Sequence, residues 1–188
     1  HYALGRPHEY ARLVVVTDGG RTLELSLPET EVFEDLRPRL VRLAPDAPVE
    51  LLTIVSDRGT GARLVLFGVE DGRLAPRAQS APIGTPNRWL NPVGVSDLDG
   101  DGRAEIAAII TPHIGGILKV YRREGHALVE IAAMRGLSNH VYGSAELELS
   151  TPALVRGQPR LVAPDQRRSS LRFVALTPPG LVETGRCQ

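Results

Sequence analysis

The feature that most constrains what this chain can fold into is a turn signal that returns at nearly fixed spacing. Asp18-Gly19-Gly20, Asp71-Gly72, Glu124-Gly125 and Pro179-Gly180 each offer a glycine able to take the positive φ of a tight hairpin. Glycine to glycine, from Gly19 to Gly72, Gly125 and Gly180, the steps are 53, 53 and 55 residues. A strand-like run precedes each turn, at residues 12–17, 63–67, 117–121 and 171–176, and a shorter one follows at 23–27, 74–78, 128–132 and 181–183. Before the last three hairpins lie two more apolar runs: 40–43 with 51–55, 93–95 with 106–110, and 153–155 with 161–162. Pro38, Pro92 and Pro152 mark the entry of these repeats, where a missing backbone donor does least harm.

Four short strands per repeat at a period just above 50 predict an all-β chain, a β-propeller-like array of four-stranded antiparallel blades. A single repeat domain over 1–188 then divides into an N-terminal hairpin, or half blade, at 1–30 and repeats at 31–84, 85–138 and 139–188. An irregular sandwich or stacked β-array fits the same strands and remains open. Helical periodicity is nowhere sustained; the best candidate, residues 31–36, amounts to one turn before Pro38. Three units and a half leave strand edges at the ends, to be covered either by the hairpin of residues 1–30 or by a homodimer in which 3.5 plus 3.5 blades close one ring.

Charge excludes some partners. Twenty-two basic residues balance twenty-two acidic ones, so no net field recruits nucleic acid or an anionic membrane. Apolar runs such as 106–110 fall far short of the roughly 20 residues that span a bilayer. One cysteine, Cys187, allows no internal disulfide and no thiolate cage. A first residue of His1 fits a removed signal peptide and a trimmed chain equally.

One segment carries specific chemistry. Asp97-Leu98-Asp99-Gly100-Asp101-Gly102-Arg103-Ala104-Glu105 places carboxylates at positions 1, 3, 5 and 9 between the two inner strands of the middle repeat. Pairs of carboxylates held about 4 Å apart repel by about 4 kcal/mol at an effective dielectric near 20, a penalty that a divalent cation turns into attraction. Calcium takes six to eight oxygens, so four side chains, the Arg103 carbonyl and water make a plausible shell. Magnesium demands stricter octahedral geometry, and zinc calls for local His or Cys, which this segment lacks. The competing reading is a polar turn with solvated charges. Position 12 is not acidic and a strand follows, so this is not a helix-loop-helix calcium hand.

Residues 95–106 resemble the repeat core of the FG-GAP or VCBS family of integrin α-like β-propeller repeats, found also in small exported bacterial proteins. The match is specific from Pro92 to Tyr121. It implies calcium ligands at Asp97, Asp99, Asp101, Arg103 through its carbonyl, and Glu105, which replaces the aspartate more usual there. It implies a periplasmic or secreted setting and a structural role for the ion. At the equivalent loop the first repeat keeps only Asp46 and Glu50, and the third, 152–160, has no acid, so one metal site is expected.

Elsewhere, His1, His8, His113, His126 and His140 show no two-ligand helix spacing, which speaks against a zinc enzyme. There is no Gly-x-Ser-x-Gly elbow and no phosphate-cradling glycine loop. Arg88, Trp89, His113 and His140 lie in inter-strand or inter-repeat loops, where functional groups collect, and are the candidate ligand-binding residues. Trp89 has a second reading, as packing between blades. The leading functional expectation is a calcium-stabilised binding or scaffold module for a protein or saccharide ligand, not an enzyme. The alternative is a metal-dependent hydrolase acting on a saccharide or phosphate ester.

Overall fold

A computed structural model describes residues 3–5 and 8–188; His1 therefore lies outside the described residues. Fifteen β-strands and no helix occur among them, so the chain is all-β. A hairpin of β1 (Arg12–Val16) and β2 (Thr22–Ser26) opens the chain. The first four-stranded unit follows. Its first strand is split into β3 (Glu31–Phe33) and β4 (Arg39–Val41), which pair with opposite halves of β5 (Glu50–Asp57). β6 (Gly61–Glu70) and β7 (Arg73–Ser80) complete it. The best helical candidate of the sequence, residues 31–36, is thus strand at β3, because Val32 and Phe33 gain a partner in β5 that a single exposed turn would not have.

The second unit is the meander β8 (Leu90–Ser96), β9 (Glu105–Ile110), β10 (Ile117–Glu124) and β11 (Ala127–Arg135). The third is β12 (Thr151–Val155), β13 (Gln158–Pro164), β14 (Leu171–Thr177) and β15 (Gly180–Cys187). Two parallel residue pairs, Ala127↔Gln79 and Leu128↔Ser80, join β7 to β11, so the first two units form one nine-stranded sheet. Pro92 and Pro152 sit inside β8 and β12. Both are edge strands, and Pro92 lies at a register shift, so neither proline removes a bond from the middle of a ladder.

A common irregularity marks the three units. The hairpins close at Glu70↔Arg73, Glu124↔Ala127 and Thr177↔Gly180, and three pairs further on the last strand of each unit carries one extra residue: Arg77, Ile131 or Thr184. A bulge at this one fixed distance from the turn bends the strand and raises its local twist at the same place in each unit.

Alternation does the rest. In β9, Ile106, Ala108 and Ile110 pack toward the first unit, whereas Ala107 and Ile109 pack toward the third, so a strand with two buried faces reads as an unbroken apolar run. Each junction has its own core. Leu13, Leu23, Phe33, Val65 and Phe67 join the hairpin to the first unit. Leu52, Ile54, Leu64 and Leu66 meet Leu90, Ile106 and Tyr121 at the next, and Leu118 and Val120 meet Leu161 and Val174 at the last.

Candidate functional site

Consecutive connections of an antiparallel meander lie at alternate ends of the sheet. The β8–β9 connection, residues 97–104, is therefore at the end opposite to the β9–β10 connection, residues 111–116. Each end carries a cluster of chemically capable side chains.

At the first end the acidic loop is folded by its own carboxylates. Asp97 Oδ1 accepts from the Gly100 amide at 2.7 Å and its Oδ2 from Gly102 at 2.9 Å. Asp99 Oδ1 accepts from Asp101 N at 3.2 Å, and Asp101 Oδ1 from Arg103 N at 2.7 Å. Gly100 and Gly102, at φ of 82° and 85°, supply the left-handed conformations that this winding needs. Glu105 is fully buried; its Oε2 takes the Leu98 amide at 3.0 Å. Leu98 itself plugs the core between the second and third units, and the Ala104 amide donates to the Leu43 carbonyl of the first.

Of the five expected ligand positions, Asp97, Asp99 and Glu105 come together: one carboxylate oxygen from each lies within 4.8 Å of the others. Asp101, in the same loop, is not part of that group of side chains; its amide donates to Asp99 Oδ1 and its carboxylate accepts from the Arg103 amide. Arg122, which sequence reasoning did not single out, reaches the cluster from β10. Its Nη2 lies 2.7 Å from Asp99 Oδ2 and 2.9 Å from Glu105 Oε1, and its Nε 3.2 Å from the latter. The β9–β10 ladder explains this: Tyr121 pairs with Ile106, so the next step sets Arg122 opposite Glu105. Its neighbour Arg123 points to the other face, onto Glu50 of the first unit, which is also buried and also begins a second strand. In the third unit that position is Gln158, and the preceding connection is the two-residue turn Arg156-Gly157, too short to gather ligands.

At the opposite end, three of the four candidate ligand-binding residues meet. Trp89 and His113 stack with centroids 5.9 Å apart and planes 4° apart, and His140 packs against both at 4.7 and 4.9 Å. Trp89 and His140 are buried, at 2% and 0% exposure, and the Trp89 indole donates to the Glu34 carbonyl across the junction of the first two units. The solvent side of the cluster is His113 and Tyr142, whose rings meet edge to face at 5.3 Å, with exposed Ile114 and Val141 beside them in the same loops. Tyr142 carried no sequence signal beyond its place in the β11–β12 connection. Arg88 is set apart, in a small groove with Glu34, Ser56 and Asp57. His126 lies in the β10–β11 turn against the Arg77 carbonyl, and His8 is exposed.

The tautomers follow from the partners. His140 Nε2 lies 2.9 Å from the Ser144 carbonyl, which can only accept, so Nε2 carries the proton and Nδ1 the lone pair. His113 Nε2, 2.7 Å from that Nδ1, must donate to it, which leaves the lone pair of the pair's outer member on His113 Nδ1. Burial, then His140 and Arg168, push the His113 pKa down to about 4; burial, with Arg168, also lowers His140 against the opposing pull of the Ser144 carbonyl and Glu146. A histidine whose folded pKa is depressed contributes stability above its unfolded value, near 6.5, and loses it as pH falls through the folded one. The expected NMR titration of the His113 ring is therefore flat from pH 8 to 5 with a midpoint near 4; a midpoint near 6.5 contradicts the packing described.

No family model, no curated protein and no solved structure matches the chain.

Proposed function

We propose that the protein is a calcium-stabilised β-repeat module of the FG-GAP/VCBS type, a propeller-like array of blades that binds or scaffolds a partner and is not an enzyme. The observation that carries this reading is the convergence of Asp97, Asp99 and Glu105 in a glycine-hinged connection. The donor set fits the ion: all three are carboxylates, and hard oxygen donors in a flexible loop suit calcium. Asp101 and the Arg103 carbonyl, with water, would fill the remaining positions. The shared bulge and the repeated junction cores support the blade reading, since both recur unit by unit.

In this reading the ion is structural. The loop it would order holds Leu98 in the core toward the third unit and Ala104 against the first, so fixing it fixes the junction of three units. The partner surface is the other end, where His113, Tyr142, Ile114 and Val141 offer an aromatic and apolar patch to a protein or saccharide. A periplasmic or secreted setting, rich in calcium, accords with a loop of modest affinity.

The test is thermal melting. A ligand at about 100 times its Kd stabilises by about 2.7 kcal/mol, which in a chain of this size raises Tm by roughly 5–10 °C. The expected result is such a rise in millimolar calcium over chelator, absent in Asp99→Ala. Superimposable melts of the wild-type protein in calcium and in chelator would refute the proposal.

A further inference from the structure

Beside the acidic loop, between the first and second units, lies a cleft of about 310 Å³ whose wall carries Arg77, Arg103, Arg122 and Arg123. Like charges gather there at a cost unless each is answered. Arg123 is answered by buried Glu50, Arg77 by Glu70, and Arg122 by Asp99 and Glu105. Arg103 is exposed and has no acidic partner among the described residues. A planar guanidinium fork matches an oxyanion in two-point contact, and several forks on one concave wall make a site for one.

We propose that this cleft binds an oxyanion, a sulfate or carboxylate group of a larger ligand, and that cation loading of the neighbouring loop switches it on through Arg122. The inference rests on the calcium reading of that loop. Without the cation, Arg122 is the loop's internal counter-ion, its Nη2 bridging Asp99 Oδ2 and Glu105 Oε1 at 2.7 and 2.9 Å. A divalent ion that drew on those oxygens at about 2.3–2.6 Å would contend with that nitrogen for the same space. Two cations so close repel, and the mobile one is the side chain, which already lines the cleft. Released, it adds a guanidinium to Arg103. The coupling is reciprocal: an oxyanion that holds Arg122 away must tighten the cation by the same factor.

Calorimetry with calcium and with sodium sulfate or sodium glucuronate as probes, at matched ionic strength, tests this on the intact chain. Sulfate or glucuronate is expected to bind about tenfold tighter in calcium than in chelator, the middle of the usual range of coupling. Arg103→Gln should lose anion binding and keep calcium binding, because only its carbonyl faces the loop in the calcium reading. Arg122→Gln should bind calcium at least about fivefold tighter and lose the calcium dependence of the anion, and, purified in calcium, it should melt lower than wild type only after chelation. Sulfate preferred over glucuronate would assign a sulfate ester, the converse a uronate. Calcium heats with unaltered anion binding, or calcium affinity unmoved in Arg122→Gln, would overturn the inference and leave the calcium reading standing. No calcium heat in either protein would remove the calcium reading itself.

Discussion

Gly116→Ala should cost at least about 4 kcal/mol, among the largest effects of any single methyl group in the chain. A Cβ at Gly116 would stand 1.6 Å from the Leu137 carbonyl oxygen and 2.8 Å from its carbon, both backbone atoms. Those strands cannot separate freely, because the Gly136 and Leu137 amides donate to the Gly116 carbonyl at 2.9 and 3.3 Å. Leu137 is fully buried between the second and third units, so moving it opens their shared core and shifts the connection that carries His140. Urea unfolding followed by the fluorescence of Trp89, the one tryptophan and a buried one, measures the loss. Gly19→Ala is the control, with only the Thr17 hydroxyl at 4.0 Å, and should stay within about 0.5 kcal/mol. A Gly116→Ala loss below about 1 kcal/mol would contradict the close approach.

Glu105→Ala should cost about 2–4 kcal/mol in chelator and should abolish any stabilisation by calcium. The change strands the buried Leu98 amide, which donates to Oε2, and leaves Arg122 with Asp99 alone. Arg122 is about a third exposed, so water softens its loss and the figure falls short of that for a wholly buried ion pair. Glu105→Gln should fall in between, since an amide oxygen can still serve Leu98. The same urea titration, run with and without calcium, separates the two effects. A Glu105→Ala protein as stable as wild type in chelator would mean that this carboxylate does not hold the loop.

The all-β character was legible because glycine and proline punctuate the chain at a fixed period, and backbone φ is a local property. The turns themselves sit slightly differently from the glycines that announce them. Gly72 is the second residue of its loop, Gly125 the first of its own, and Gly180 the first residue of β15 after Pro178-Pro179. Counted on the residues that close the hairpins, Glu70, Glu124 and Thr177, the period is 54 and 53. The split of the first unit's first strand into β3 and β4 was hidden, because its halves are too short to show alternation.

The acidic loop was legible for the same local reason: its ligand candidates are neighbours in sequence. Arg122 was not, because it meets Glu105 only through cross-strand register. A signal existed nonetheless. Two residues before the closing pair the three units read Gly68, Arg122 and Ala175, so the arginine stands only in the unit that has the acidic loop. The imidazole cluster joins residues 89, 113, 140 and 142 from three connections, and no spacing along the chain announces such a meeting.

Anomalous diffraction from crystals grown in calcium reads directly whether the three converging carboxylates hold a divalent ion. The predicted result is one strong peak at the β8–β9 connection, about 2.3–2.6 Å from oxygens of Asp97, Asp99 and Glu105, with Arg122 turned away from Glu105. Well-ordered density for this loop with no peak, and with Arg122 still seated on Asp99 and Glu105 in millimolar calcium, would contradict it.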